Sequence, residues 1–349
     1  MLELNRISPS SGRNRRIRAK GAAGARLAAC AVAALLLSAR AARSQSSLLY
    51  LEAQAVGGWS SEADGAVFYS MTQEDAMQKP GAGFDWLRRL SGERGDFGTL
   101  ALQMRLAWNR EPESSLELQV YNAFFKYKAG FADLWIGHDR PAFGLASYLD
   151  GHALLLQPLS MHGYGFDRDW GAGIYRDFEW GNAAASLTTG SGMPLELEGN
   201  RLAAARVSRG VLTRDNYNIG VSGAWGEVLE SMGYEIMMPD PVDFRMASLD
   251  WTHLWTRYES RLELMAGERA GGESYAVLWR IGANLLEESR LKLELQPLIQ
   301  WRDGESHAIY AAAVSYQLTA DLAIRSMYRR GEAMGDDFVV AQAYYYKRL

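Results

Sequence analysis

Residues 291–302 read LKLELQPLIQWR. The odd positions, Leu291, Leu293, Leu295, Pro297, Ile299 and Trp301, are apolar and end in an aromatic ring. The even positions, Lys292, Glu294, Gln296, Leu298, Gln300 and Arg302, are mainly polar or charged. Side chains of a strand alternate between two faces, so this segment separates two environments. It is as long as a membrane crossing needs, about 9–11 residues of tilted strand. The pattern recurs. Leu100, Leu102, Met104, Leu106 and Trp108 alternate with Ala101, Gln103, Arg105 and Ala107, and Leu49, Leu51, Ala53, Ala55 and Trp59 are interleaved with Glu52 and Gln54. Recurrent segments of this kind with terminal aromatics predict a transmembrane antiparallel β-barrel. A soluble sandwich also alternates, but its strands average about 5–6 residues.

The start of the chain is consistent with an exported protein. Arg13, Arg15, Arg16, Arg18, Lys20 and Arg26 form a basic region, and Leu27–Ser38 (LAACAVAALLLS) is an apolar run too short to span a bilayer as a helix. Small residues follow at Ala39, Ala41, Ala42 and Ser44. Residues 1–44 therefore read as a secretory signal peptide and 45–349 as the barrel. Leu27-Ala28-Ala29-Cys30 resembles a lipoprotein cleavage box but lies at the start of the apolar run. Arg15-Arg16 is followed by Arg18 and Ala19, where a twin-arginine signal wants apolar residues.

Composition narrows the chemistry. Cys30 is the sole cysteine and leaves with the signal, so the mature chain has no disulfide, thiolate metal site or cysteine nucleophile. Of 37 basic and 41 acidic residues, nine basic and one acidic lie in residues 1–44, which leaves 28 against 40, a net charge of −12. That balance speaks against nucleic acid as a partner. No linker rich in Pro, Ser or charge interrupts the alternation, which predicts one domain.

Sixteen segments carry the pattern: 48–59, 84–91, 98–108, 115–127, 132–138, 169–177, 182–189, 200–209, 215–226, 244–255, 257–267, 273–285, 290–302, 307–318, 322–330 and 338–349. An even number suits a bacterial barrel, with twelve to eighteen as the range. With a periplasmic N-terminus, the periplasmic connections fall at 92–97, 128–131, 178–181, 210–214, 256, 286–289 and 319–321, all short. The three longest, 60–83, 139–168 and 227–243, all fall outside. Short inner turns and long outer loops are the asymmetry of this class.

Residues 122–128 (NAFFKYK) and 134–145 (LWIGHDRPAFGL) resemble outer-membrane porins of the phosphate-selective type. Those have an Ala-aromatic strand, a Gly-basic strand end, and a Pro-x-x-Phe-Gly or Pro-Phe-Gly-Leu loop start. His138-Asp139 stands where such porins carry a basic-polar pair, and Ala142 separates Pro141 from Phe143. The resemblance implies a porin-like barrel.

The inward phase collects a wet set of side chains. Candidate pore-lining residues are Arg105, Glu117, Arg261, Arg280, Lys292, Glu294, Arg302 and Arg325. About sixteen strands leave an aqueous channel, whereas about eight are filled by side chains. A competing reading has these charges pair with one another and stiffen the wall. Connection 139–168 is long and apolar in its middle, Ala153–Leu159, with Asp139, Arg140, Asp150, Asp167 and Arg168 near its ends. So apolar a loop does not belong in open water. It is expected to fold into the barrel mouth as a constriction or to pack at a subunit contact, facing Lys292, Arg302, Arg280 and Arg325.

Some barrels of this architecture are enzymes. His138, His152, His162, His253 and His307 lack metalloprotease spacing, and no phosphate-cradling glycine loop occurs. His152 with Asp150 and His162 with Asp167 are close in sequence but lack a nucleophile and an orienting partner. The sequence thus predicts no catalytic residues, metal or cofactor. It predicts an outer-membrane channel for passive diffusion of small hydrophilic solutes, weakly preferring anions. Expected partners are outer-membrane lipid, those solutes, the barrel assembly machinery and further copies of the chain, as in a trimer. A substrate-specific sugar or lipid channel, a barrel hydrolase and a closed structural barrel are the alternatives.

Overall fold

The computed structural model describes residues 47–349 other than 63, 68–77, 94, 110–114, 303 and 332–336. The expected signal peptide, residues 1–44, lies outside the described residues. The strands are β1 (Ser47–Ser60), β2 (Gly65–Val67), β3 (Gly81–Gly92), β4 (Gly95–Asn109), β5 (Ser115–Lys128), β6 (Asp133–Asp139), β7 (Asp169–Phe178), β8 (Gly181–Thr188) and β9 (Arg201–Arg209). They continue as β10 (Tyr217–Met232), β11 (Glu235–Leu254), β12 (Tyr258–Arg269), β13 (Gly272–Leu285), β14 (Leu291–Arg302), β15 (Glu305–Gln317), β16 (Leu322–Gly331) and β17 (Asp337–Arg348). Each predicted segment corresponds to one of these strands; most ends shift by a few residues, but β10 ends six residues beyond the predicted 215–226 and β11 starts nine residues before the predicted 244–255.

From β3 to β17 every strand pairs antiparallel with the next. β1 pairs with β3 on one side and with β17 on the other, Ala55 opposite Ala343. The ring is therefore closed. Among the described residues the sheet has 17 strands. Three-residue β2 pairs only with the outer end of β1 and is not a wall strand, so sixteen strands form the barrel. Closure follows from the surroundings of a bilayer, where an unpaired strand edge finds no hydrogen-bond partner.

The wall carries the predicted phase. Leu295 is 58% exposed on the outer face, and Leu293, Leu106, Trp108 and Trp301 are exposed with it, whereas Glu294, Gln296, Gln103 and Arg105 are buried inside. An outward belt of large apolar side chains capped by Trp and Tyr is the surface that acyl chains and headgroups require.

One expectation about connections is corrected. Segment 227–243 is not an irregular loop. β10 and β11 run on through it as a protruding hairpin that turns at Gly233-Tyr234, with register shifts between Val228 and Ser231. Its acidic residues, Glu227, Glu230, Glu235, Asp240 and Asp243, sit on ladder strands. Segment 60–83 contributes described elements as well. It forms β2 and returns Gln78 and Lys79 as buried side chains.

The decisive irregularity is β6. Its seven residues extend about 23 Å and, at roughly 40° of tilt, rise about 18 Å, short of an apolar band about 25 Å tall. The chain therefore leaves the wall inside the lumen, between Asp139 and its register partner Asp169 on β7.

Candidate constriction and lumen

Connection 140–168 crosses the barrel interior. Its first anchor is at Ala142–Leu145. The N–H of Ala142 donates to Ser186 Oγ on β8 at 3.0 Å, that of Gly144 to Ser222 Oγ on β10 at 2.9 Å, and that of Leu145 to Glu263 Oε1 on β12 at 2.6 Å. Gly144 has φ +59°, and a Cβ there would lie 2.3 Å from Glu263 Oε1, so only glycine fits this approach. Two short 3₁₀ turns follow, Leu145–Ser147 and Leu159–His162.

Wall side chains satisfy the loop's backbone carbonyls. Arg325 donates to Ala153 O at 2.6 Å, Arg280 to Leu156 O at 2.9 Å, Gln296 to Gln157 O at 2.9 Å, Arg269 to Gly163 O at 3.0 Å, and Arg302 to His162 O. A loop without its own ladder needs such donors when it is buried. The apolar middle is covered as well. Leu155 and Leu156 pack with Val56, Ala313, Met327, Phe338 and Val340. Phe143, Leu159 and Tyr164 pack with Leu202, Phe244, Met246, Met265, Leu278 and Leu298. The inner wall is thus not uniformly polar. It carries two apolar patches, and each receives part of the loop.

Four of the five loop-end residues are joined by ion pairs, and Asp139 lines the same inner cavity as Arg140 and Arg168. Arg140 pairs with Asp150 at 2.9 Å, and Arg168 pairs with Asp167 at 3.3 Å and with Asp150 at 3.6 Å. Arg168 is 1% exposed and lies over the Tyr121 ring, 4.4 Å from its centroid. Tyr121 is the residue that the register skips where β5 bulges against β4, between Val120 and Asn122. The skip lets Gln119 and Asn122, on either side of it, both keep lumen partners on β4, Arg105 and Gln103. Tyr121 OH donates to Asp167 at 2.6 Å. Nothing in the alternation of 115–127 marks this bulge. Burial opposes the ionisation of Asp150, yet Arg140, Arg168 and the His152 N–H hold its carboxyl below the usual range.

Two cavities flank this cluster. The outer one, about 340 Å³, includes Arg168, Arg269 and Arg302 among its lining residues. The inner one, about 440 Å³, is lined by Asp139, Arg140 and Arg168 together with side chains of β5 to β9. Arg168 borders both. Asp167 and Arg168 thus line the outer cavity, and Asp139, Arg140 and Arg168 the inner one.

The expected wall residues fall into two groups. Arg280, Arg302 and Arg325 hold the loop, as above, and Arg280 is 2% exposed beneath it. The others are paired along the wall: Arg105 with Glu52 and Gln119, Glu117 with Lys79, Arg261 with Glu259, and Lys292 with Glu259 and Glu294. The expectation that Arg280 and Arg325 face the open passage is thus corrected. Carbonyls of the buried loop draw their guanidinium groups down. Contacts that the sequence left unseen include Tyr148 OH to Asp250 Oδ1 at 2.9 Å and the pair Arg206 with Asp250 at 2.6 Å. The His152 ring bonds Glu52 at 2.8 Å instead of forming a dyad with Asp150.

Comparison with protein-family models finds no match, and neither does comparison with curated protein sequences. Solved structures do match. OmpT of Vibrio cholerae, an outer membrane protein described in a trimer form, has a TM-score of 0.61 at 10% identity, covering 87% of this chain and 100% of that one. An anion-selective porin from Comamonas acidovorans has 0.57 at 11%, covering 88% and 100%. The outer membrane channel DcaP of Acinetobacter baumannii has 0.56 at 11%, covering 88% and 98%. At these identities the likeness is one of fold, and the fold is that of a porin-type barrel of the bacterial outer membrane.

Proposed function

We propose that this chain, after loss of residues 1–44, is a passive diffusion channel for small hydrophilic solutes in the bacterial outer membrane, and not an enzyme. The observation that carries this reading is the position of Arg168, which borders an outer and an inner cavity at the point where loop 140–168 crosses the lumen. A closed structural barrel has no use for two cavities in its lumen that share a buried arginine. The proposed partners are outer-membrane lipid, the barrel assembly machinery and two further copies of the chain, the trimer form of the Vibrio cholerae protein being the support for the last.

A weak anion preference follows from the charges beside the passage. Lys126, Arg140, Arg168 and Arg206 line the inner cavity against Asp139 alone. Charges in a confined passage act at short range, while loop charges at the mouth are screened within about 8 Å at physiological salt. The wall arginines that hold the loop are not free to form a phosphate ladder, so the channel is proposed to be general and not phosphate-specific. Swelling of liposomes that contain the purified barrel tests this. Uptake of small sugars that falls with sugar size supports a diffusion channel. Absence of swelling, or hydrolysis of the host lipid, contradicts it.

A further inference from the structure

The inner cavity differs in chemistry from the constriction above it. Phe124, Trp135, Tyr148 and Tyr175 are all among its lining residues. Its volume, about 440 Å³, falls within the range of sites for small organic ligands, about 300–1,000 Å³. A mere water passage gains nothing from four aromatic side chains, since they offer flat apolar faces to whatever stops there.

Three details show how these faces are held. Trp135 on β6 crosses to β7 at Gly173, where a Cβ would lie 2.4 Å from the indole Nε1. Glycine there leaves the indole its space. Among the described residues the Trp135 indole N–H has no protein partner. Tyr148 is fixed by its hydroxyl contacts to Asp250 and Thr252 and by the Arg206 guanidinium, 4.6 Å from the ring centroid.

The cavity is also cationic. Lys126 lies 5.5 Å from the Phe124 ring centroid and has no acidic partner among the described residues. Arg140 is paired with Asp150 at 2.9 Å. Arg168 and Arg206 lie behind them, their charges answered by Asp167 and Asp250.

From this juxtaposition we propose that the inner cavity is a binding site for ring-bearing carboxylates. The ring rests on the aromatic faces, and the carboxylate is drawn to Lys126 and Arg140. The inference deepens the channel reading and relies on it for access of solute along the lumen. An aromatic acid and a sugar acid share this chemistry, so both serve as probes.

The test is the open-channel current of the purified barrel in a planar bilayer, with benzoate or D-glucuronate added on the periplasmic side and acetate as the control. Either ring acid is expected to reduce the current with half-effect at about 1 mM, an affinity of the order of −4 kcal/mol, while acetate at the same concentration does not. Benzoate alone acting assigns the site to aromatic acids, and glucuronate alone to sugar acids. Lys126→Gln should weaken the effect about tenfold, as loss of one charge-assisted contact does, and Gly173→Val should abolish it. A conducting channel indifferent to both ring acids overturns the proposal. So does a block that is unchanged in Lys126→Gln. Calorimetric titration of the detergent-solubilised barrel with the same probes separates the two readings. Binding by a barrel that never conducts supports the site while contradicting the channel, and no binding by a conducting barrel does the reverse.

Discussion

The carboxyl of Glu263 accepts the backbone N–H of Leu145 at 2.6 Å and so ties a wall strand to a loop residue 118 positions away. Both groups are buried. This contact, with Gly144 beside it, fixes the point at which the chain turns into the lumen. Glu263→Ala removes the acceptor and leaves a buried donor unsatisfied, at a cost of about 1–3 kcal/mol. We expect Glu263→Ala to raise open-channel noise and lower the temperature at which the barrel loses its heat-modifiable gel migration. Glu263→Gln, which keeps an acceptor oxygen, should do much less of either. Equal behaviour of the two variants would contradict the anchor.

The lipid face gives a second prediction. Leu295 is 58% exposed on the outside of β14, whereas Ala184 lines the inner cavity. Leu295→Lys should cost about 2–4 kcal/mol, as a cation near the bilayer midplane does, and Ala184→Lys should cost little. Gln296, one residue along, is a poor control despite its inward phase, because it bonds both Arg280 and the Gln157 carbonyl. Urea titrations of the folded barrel in lipid vesicles measure both, and equal losses would refute the assigned phase.

Much of this was legible in advance, and the limits are instructive. Alternation in 291–302 fixed which side chains meet lipid, because a period of two leaves no choice once one face must be apolar. Loop 139–168 was readable as a lumen element because its middle is too apolar for water. Its landing sites carry a signal in the sequence too. Leu298 lies between Gln296 and Gln300, and Leu202, Leu278 and Met246 likewise sit in the inward phase, where they receive the loop. The fates of Arg280 and Arg325 were not legible. A cation at an inward position looks the same whether it faces water or a loop carbonyl 124 or 172 residues away. The Tyr121 bulge was hidden for a similar reason, since one extra residue in a strand leaves no compositional trace.

Closure of the barrel gives a third prediction. β17 pairs with β1 from Phe338 opposite Ser60 to Arg348 opposite Tyr50. Removal of residues 337–348 opens two strand edges to lipid, where their N–H and C=O groups have no partner. The truncated chain should lose the heat-modifiable folded band on gels. Its retention would contradict a closed ring.

Acid should leave the constriction's charge intact over a wide range. Burial works against the Asp150 carboxylate, but Arg140 and Arg168 prevail and hold its pKa below the usual value. A depressed carboxylate stabilises the fold above its unfolded pKa, about 3.9, and that contribution disappears as pH falls through the lower folded value. Ion selectivity should therefore be flat between pH 7 and pH 5 and should change only below about 4. A titration of the reversal potential centred near pH 6 would show that another group controls the passage.

Reversal potentials across a salt gradient also test the ion choice. The intact barrel should prefer anions weakly, and Arg140→Gln should shift it toward cations, because Arg140 borders the inner cavity and is only partly enclosed. Arg280→Gln, with the guanidinium lost beneath the loop, should disturb gating noise more than selectivity. Strong cation selectivity that survives high salt would contradict this assignment.

Loop 140–168 is proposed to narrow an otherwise open sixteen-stranded channel. Single-channel conductance in a planar bilayer, compared between the intact barrel and a variant with residues 149–160 replaced by two glycines, tests it most directly. Steady steps are expected from the intact protein and larger steps from the variant. An intact protein that never conducts, or a variant with unchanged conductance, would contradict it.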